Sequence, residues 1–392
     1  MDIERLGQSP AGRLIPIQGQ DVRHGPFAYF AFMPNELSDD VPLASPSWTA
    51  IARAANALGK LDQACTQLPD PKLLIRPALY REALDTSALE GTVAPLVDLL
   101  EAQLLGAAHL SPEAREIHAY VRVATEAFDV VRDRPLSISM LAQFQAELFQ
   151  YSRQQPRGLG SVREEQVWIG PKHRPIYEAR FVPPPGDDRL KSQLEAWERW
   201  VSETDSQRLH PVLQAALAHY QFETLHPFGD GNGRLGRLVV VLQLLRNGTI
   251  RQPAITLSPW LLKHRTEYQD NLLRVSCTGD FDPWIQFFCE AICQQAESLI
   301  QGATNLRDWL EESRQTLHDK RWAGKIHLLL QDLIEWPLTT IAETARRYGT
   351  SVGNATKMVD HLVEAGIMQE LTGKSYGRVF GSTAVMNIVD SI

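Results

Sequence analysis

Apolar residues recur at helical spacing along most of this chain of 392 residues. Ile51, Ala54, Ala55, Leu58 and Leu61, for example, share one face of a helix. The pattern therefore predicts a mostly α-helical protein. The expected helices cover residues 73–89, 93–105, 112–131, 136–150, 188–204, 211–225, 234–246, 258–275, 281–300 and 303–318.

Two segments, one at the N-terminus and one near the middle of the chain, depart from this helical pattern. Residues 1 to about 45 are rich in Pro, Gly and short polar residues, so we expect them to form an irregular arm. Further along, two short apolar runs flank a stretch that contains Gly and Pro, and this arrangement predicts a β-hairpin. Its apolar strand residues are Val167, Trp168, Ile169 and Phe181.

The C-terminal residues have the element order of a separate module. Helices are expected at 325–334, 340–348 and 352–365, followed by two short strands around a Thr-Gly-Lys-Ser turn. This order resembles a winged helix-turn-helix. Its third helix carries Lys357 and His361 against Asp360 and Glu364, which is little positive charge for a DNA-reading helix. Contact with a protein partner, or homodimerisation, is therefore an alternative to DNA binding for this module.

We divide the chain accordingly into an N-terminal helical region at 1–110, a core at 111–302 and the module at 303–392. The net charge of −8 does not favour a general nucleic-acid or membrane surface. The four cysteines, at 65, 277, 289 and 293, lack the spacing of a metal site. No signal segment or membrane-length apolar run stands out, so we expect a cytoplasmic protein.

The densest chemistry lies in residues 226–237, which read His-Pro-Phe-Gly-Asp-Gly-Asn-Gly-Arg-Leu-Gly-Arg. A helix should end at His226, because a residue before proline is biased out of the α region. The next helix begins within the run, so the run is a glycine-rich loop that leads into a helix N-terminus. Such a terminus presents free N–H groups and suits an anion.

The side chains of this loop fit nucleotide-dependent group transfer. His226 is a candidate general base, and Asp230 is a hard oxygen ligand suited to Mg²⁺. Arg234 and Arg237 share one face of the first helical turn and suit phosphate oxygens. The glycines allow the backbone to approach a ligand closely.

Other loop types fit this run less well. A Gly-x-Gly-x-x-Gly is present, but no strand precedes it, and Thr256 stands where a dinucleotide site has an acid. No Gly-Lys-Ser/Thr follows, which argues against a P-loop. A calcium loop would need ligands at positions that Arg234 and Val241 occupy. A solvated turn with a satisfied histidine is the remaining alternative.

The run resembles the signature of the Fic family (filamentation induced by cAMP) at every specified position. The resemblance implies a Fic-type helical bundle that transfers AMP from Mg-ATP to a Tyr, Thr or Ser hydroxyl of a protein. It implies that His226 is the base and Asp230 the Mg²⁺ ligand. It assigns ATP phosphate binding to a further set of positions: Gly231, Asn232, Gly233, Arg234 and Arg237.

The resemblance extends to three other parts of the chain. The β-hairpin matches a flap on which a target chain, or the protein itself, docks by strand addition. Tyr268 matches a position whose ring packs on the adenine. Thr86 and Glu90 match an inhibitory segment whose glutamate pairs with the second arginine of the signature, here Arg237.

We therefore expect an autoinhibited protein adenylyltransferase. Removal of AMP from a modified protein is the first alternative, and kinase-like transfer is a weaker one. A regulator that uses the nucleotide site as a sensor is the alternative from another class.

Overall fold

The computed structural model describes residues 1–68, 70–105, 110–150, 152, 155–171, 173–203, 209–373 and 377–392. Its first eight helices are α1 Ile3–Gly7, α2 Ser45–Gln67, α3 Lys72–Leu89, α4 Leu96–Leu105, α5 Pro112–Asp133, α6 Ile138–Leu148, α7 Asp188–Glu203 and α8 Pro211–Leu225. The others are α9 Asn232–Arg246, α10 Ser258–Lys263, α11 Arg265–Thr278, α12 Asp282–Asp319, α13 Ile326–Asp332, α14 Ile341–Arg347, α15 Val352–Glu364 and α16 Thr383–Ser391. The strands are β1 Gly12–Asp21, β2 Gly25–Pro34, β3 Leu338–Thr340, β4 Gln369–Glu370 and β5 Val379–Gly381.

The mostly helical prediction is confirmed, with two changes of segmentation. The helices expected at 281–300 and 303–318 form the single helix α12. Gly302 lies inside it, where a Cβ would overlap the Ile392 side chain, so this glycine makes room for a neighbour and does not end the helix. The helix expected at 258–275 is divided into α10 and α11 at His264. None of the described helices is both long and apolar enough to cross a bilayer.

The prediction of an irregular N-terminal arm is wrong. After the short helix α1, β1 and β2 pair as an antiparallel hairpin, from Gly12 opposite Pro34 to Asp21 opposite Gly25. The Asp21 carboxylate closes the turn by accepting the N–H of Arg23 at 2.8 Å and that of His24 at 2.6 Å. Burial alternates along the first part of β2, where Phe27 is buried between exposed neighbours as expected for a strand, and residues 31–34 are then all buried.

The β-hairpin predicted around residues 167–181 is shorter than expected. A single antiparallel bridge joins Ile169 and Phe181, with the Ile169 N–H donating to the Phe181 carbonyl at 2.8 Å. Prolines within and after this segment lack the N–H that a longer ladder requires. Instead, the Phe32 N–H of β2 donates to the Val182 carbonyl at 2.8 Å. Lys172 of the predicted connection lies outside the described residues.

Contacts group the chain into two compact units, and the first comprises residues 1–59, 119–253 and 260–293. Within it, α8 and α9 are almost wholly buried. The indole N–H of Trp197 donates to the Ala218 carbonyl of α8 at 3.0 Å, and that of Trp284 donates to the Ala216 carbonyl at 3.0 Å. These buried tryptophans hold α8 in the centre of its unit.

The same unit joins the N-terminal hairpin to residues 168–182. An apolar cluster unites Ile15, Ile17, Phe27, Ala31 and Met33 with Ile176, Ala179 and Val182. Two edge-to-face aromatic pairs add to it, with ring centroids 6.3 Å apart for Phe27–Trp168 and 5.3 Å apart for Tyr29–Tyr177. The hairpin thus braces the segment that contains the Ile169–Phe181 bridge.

The second unit comprises residues 60–118, 254–259 and 294–392. Its C-terminal part contains the three predicted helices and the two predicted strands, and it adds the unpredicted strand β3 and helix α16; the sheet order is β3-β5-β4. Residues 374–376 of the predicted turn lie outside the described part of the chain. Elsewhere in this unit, the buried Glu82 carboxylate accepts the N–H of Leu257 at 3.0 Å and that of Ser258 at 2.9 Å.

Candidate active site

His226 ends helix α8 in a left-handed conformation, with φ +50° and ψ +62°. Its N–H donates to the Phe222 carbonyl at 2.9 Å, and Pro227 follows, so the helix cannot continue. The imidazole Nδ1 lies 3.3 Å from the Glu223 carbonyl oxygen. Since a carbonyl only accepts, Nδ1 carries the hydrogen in this contact and Nε2 keeps its lone pair. A half-buried imidazole is therefore oriented as a proton acceptor through Nε2.

The loop after His226 is closed by the side chain of Asn232. Its Oδ1 accepts the Phe228 N–H at 2.8 Å, and its Nδ2 donates to the Phe228 carbonyl at 2.8 Å. Asn232 is buried, and Phe228 is fully buried. The asparagine expected to bind phosphate thus holds the loop in shape in this structure.

Asp230 and Gly231 form the tip of the loop and the start of α9. Asp230 is exposed, and its Oδ1 accepts the Gly231 N–H at 2.6 Å. Gly231 has φ +86° as the N-cap of α9, and a Cβ there would press on the Phe149 ring at 2.9 Å. Only glycine meets both demands. The first-turn N–H groups of α9, including that of Gly233, follow directly.

Arg234 and Arg237 are both buried in the first turns of α9. The Arg234 guanidinium lies over the Phe149 ring, 4.7 Å from its centroid. Gly236 lies between them in sequence, and a Cβ there would overlap the Glu223 carboxylate of α8. The missing side chain thus lets α8 and α9 approach closely at the point where both arginines emerge.

Two buried polar residues outside the run hold the loop, and the sequence analysis missed both. Gln145 of α6 donates through Nε2 to the Asp230 carbonyl at 3.3 Å and accepts the Gly160 N–H at 2.7 Å. Arg163 donates through Nε to the His226 carbonyl at 2.7 Å, and its own N–H donates to the Pro227 carbonyl at 2.9 Å. Burial lowers the pKa of Arg163 to about 10, so it stays charged at neutral pH.

A cleft of about 540 Å³ opens beside the loop tip. Residues 155–158, 161–165 and 167 line it, together with Gly229 and Asp230. Its polar lining includes the exposed ion pair between Arg157 and Glu165, with N and O 2.6 Å apart. The exposed carboxylate of Asp230 therefore faces a space large enough for a small-molecule or side-chain group.

The flap residues named from the sequence lie together beside this cleft. Val167 lines the cleft itself. The Trp168 indole N–H donates to the Arg174 carbonyl at 3.0 Å, and Ile169 and Phe181 form the antiparallel bridge. Phe181 also packs on Phe32, with ring centroids 5.8 Å apart.

Tyr268 lies in a buried aromatic cluster of the first unit. Its hydroxyl is 2.8 Å from Nε2 of His219, whose Nδ1 is 2.8 Å from the Gly236 carbonyl oxygen. Nδ1 of His219 therefore carries the hydrogen, and the tyrosine hydroxyl donates to Nε2. The adenine-packing role of Tyr268 stays a prediction, because its ring packs here against His219 and Trp284.

Thr86 and Glu90 lie at the end of α3 in the second unit. Thr86 is fully buried, and Glu90 caps the helix at φ −90° and ψ −3°. Gly91 follows with φ +93°, as expected for a glycine that ends a helix. The carboxylate thus stands at the negative end of the helix dipole.

Comparison with known proteins bears directly on these residues. Residues 48–129 match the family model for the Fic/DOC family N-terminal region, and residues 135–244 match the Fic/DOC family model. The chain is 36% identical to protein adenylyltransferase Fic of Drosophila melanogaster over 147 residues, which are 38% of this chain and 26% of that protein. It is 35% identical to the Drosophila virilis protein of the same name over 192 residues, 49% of this chain and 35% of that one.

The chain thus spans about a quarter to a third of the length of these relatives. The fold is also similar to the crystal structure of a Fic family protein from Desulfovibrio desulfuricans G20. The TM-score is 0.55 at 18% identity, with 88% of this chain and 98% of that chain covered. This likeness confirms the predicted helical fold.

Burial of His219 makes stability depend on pH. Desolvation, with a smaller contribution from Arg237, lowers its pKa from 6.5 to about 4. In the unfolded chain His219 therefore binds a proton below pH 6.5, whereas in the folded protein it binds this proton only below about pH 4. As pH falls through this window, we expect His219 to cost about 3 kcal/mol of the free energy of unfolding. Urea unfolding at several pH values should show a smaller decline for His219→Gln, and equal declines would contradict this role.

Proposed function

We propose that this chain, which matches the Fic/DOC family models at residues 48–129 and 135–244, is a protein adenylyltransferase of that family. It would transfer AMP from Mg-ATP to a hydroxyl of a target protein or of itself. Support comes from the relatives named protein adenylyltransferase Fic and from the orientation of His226. That orientation is the observation that carries the proposal.

In the proposed reaction, Nε2 of His226 takes the proton from a Tyr, Thr or Ser hydroxyl. The hydroxyl oxygen forms a bond to the α-phosphorus of ATP, and the bond from that phosphorus to the bridging oxygen breaks. Pyrophosphate then leaves with its electron pair. The Nδ1–H bond to the Glu223 carbonyl stabilises the imidazolium that forms.

The start of α9 is the proposed phosphate site. Asn232 and Gly233 place backbone N–H groups at a helix N-terminus, where an anion is favoured, and Gly231 forms the N-cap directly before them. Arg234 and Arg237, buried and always protonated, would neutralise the β- and γ-phosphates. Tyr268 remains the proposed contact for the adenine.

Asp230 is the proposed ligand of the Mg²⁺ that accompanies ATP. In sites of this kind Mg²⁺ commonly binds one or two carboxylates plus substrate phosphates. The residues fit, since Asp230 is exposed on the cleft and its carboxylate is held by the Gly231 N–H. When bound, the ion would reduce the charge on the phosphates.

We place the target chain on the flap. In an antiparallel bridge, Ile169 directs its N–H and carbonyl toward Phe181, so those of the flanking residues Trp168 and Gly170 point to the other edge. An extended target segment could pair there as an added strand. The N-terminal hairpin supports this arrangement because it braces the flap from its opposite side.

We propose that Glu90 restrains the reaction by pairing with Arg237 and displacing the γ-phosphate from its site. A carboxylate at a helix C-terminus is disfavoured by the dipole by about 0.3–1 kcal/mol, so it gains from a cationic partner. Thr86, buried one turn earlier, would hold this helix end. For the winged-helix-like module we propose contact with a protein partner or a second copy, since its third helix is weakly basic.

A reducing compartment, the cytoplasm, is the proposed location. All four cysteines are free thiols, and three of them are buried. Burial raises the pKa of Cys65 to about 11 and that of Cys289 to about 12, which keeps these thiols protonated and unreactive.

We expect His226→Ala to abolish transfer of label from ATP labelled at the α-phosphate to protein, because no other group takes the hydroxyl proton. ATP binding should change little. The matched control is His318→Ala, whose side chain is 83% exposed. Transfer of γ-label would instead indicate a kinase. If neither label is transferred to protein and the chain binds DNA tightly, the result would favour the regulator and contradict the proposal.

We expect Glu90→Gly to raise α-label transfer at least tenfold, because the γ-phosphate would then reach Arg237. Glu203→Gly is the matched control, since Glu203 is an exposed glutamate at the last position of α7. Labelling should be followed in lysate from the protein's own source. If Glu90→Gly leaves labelling and ATP binding unchanged, the inhibitory assignment is wrong.

A further inference from the structure

One buried guanidinium contacts the base of the flap and the backbone at the proposed catalytic histidine. We define the flap here as the segment from Glu165 to Pro184, whose two arms meet at the Ile169–Phe181 bridge. Arg163 donates through Nη1 to the Glu165 carbonyl at 3.1 Å, at the start of the first arm. Through Nη2 it donates to the Pro184 carbonyl at 2.5 Å, at the end of the second arm.

The remaining bonds of Arg163 lead to the end of α8. Nη2 also donates to the Leu225 carbonyl at 3.2 Å, and Nε donates to the His226 carbonyl at 2.7 Å. The backbone N–H of Arg163 donates to the Pro227 carbonyl at 2.9 Å. One planar group, 4% exposed, therefore fixes the ends of both flap arms relative to the histidine.

The two arms are also joined to each other independently of Arg163. Nε2 of Gln166 donates to the Val167 carbonyl of the first arm at 2.8 Å and to the Pro183 carbonyl of the second at 3.0 Å. These bonds hold the arms together and do not touch the loop of residues 226–237. Gln166 thus joins the two arms to each other, and Arg163 joins both arms to the backbone of His226.

We propose that Arg163 is a positioning residue that keeps the target-docking flap in register with His226. The inference rests on the proposed function, in which a hydroxyl carried by a flap-bound chain must reach Nε2. Proton transfer needs a heavy-atom distance of about 2.6–3.2 Å, and a displacement of about 1 Å costs roughly 100-fold in rate. A displacement of the flap relative to His226 would therefore lower the rate of AMP transfer to protein.

The geometry requires arginine at this position. Its flat fork directs several donors along different fixed directions, whereas a lysine ammonium is a single compact donor group. Lysine keeps the positive charge but cannot reach the carbonyls of both arms and of His226 together. Arg163→Lys therefore tests the positioning of the flap while the positive charge at this position is kept.

The test compares Arg163→Lys with Arg307→Lys in the full-length chain, with and without Glu90→Gly. Arg307 is a matched control, because it is exposed, its guanidinium pairs with the neighbouring Asp308 carboxylate, and it belongs to the second unit, whereas the flap and the loop belong to the first. Two reactions are measured: transfer of α-label to protein, and formation of free AMP with water as the acceptor, which needs no docked chain. ATP binding and thermal unfolding are measured alongside.

We expect Arg163→Lys to lower transfer to protein by roughly 10- to 100-fold. AMP formation with water should fall by less than threefold, and ATP affinity should change by less than twofold. Equal losses in both reactions would overturn the proposal, because loss of the base or of the fold affects both. If the Arg307→Lys control does not label protein even when combined with Glu90→Gly, the proposed function has failed, which is a separate result.

Gln166→Leu provides a second test if Arg163→Lys fails to fold. It removes the bonds between the arms and leaves those of Arg163 to the histidine. We expect a higher KM for the protein target. An unchanged KM would contradict a role for these tethers in presenting the target.

Discussion

The buried contact of the Arg163 guanidinium with the carbonyls around His226 is the constraint on which the rest of the site depends. A helix end leaves its last carbonyls without partners, and inside a protein such groups are costly unless they are bonded. Arg163 bonds the Leu225 and His226 carbonyls at the end of α8. It thereby stabilises the left-handed backbone of His226, which is unfavourable for a residue other than glycine.

The functional geometry follows from that fixed helix end. Because His226 leaves the helix in this conformation, its Nδ1 meets the Glu223 carbonyl and its Nε2 faces away. Asn232 closes the following loop on Phe228, so that α9 begins directly after the loop that carries His226. Gly236 lets α8 and α9 pack closely, and this brings the start of α9, with Arg234 and Arg237, close to the end of α8, where the proposed base His226 lies.

The sequence predicted the helices and the loop of residues 226–237 because both depend on local rules, whereas the roles of the site residues stay predictions. Helical periodicity, the break before Pro227 and the glycines of the loop are all read within a few residues. The prediction failed where distant partners decide the structure. The N-terminal hairpin was read as irregular, although it is stabilised by packing on Ile176 and Val182. Arg163 stands 63 positions before His226 in a polar stretch, and no local pattern links the two.

The tautomer of His226 tests this account most directly. Long-range ¹H–¹⁵N NMR on protein labelled with ¹⁵N-histidine, with the signals assigned through His226→Gln, reports which ring nitrogen carries the hydrogen. We expect hydrogen on Nδ1 and a lone pair on Nε2 for His226 at neutral pH. A hydrogen on Nε2 with an unprotonated Nδ1 would contradict the account, because the imidazole would then have no base directed away from Glu223.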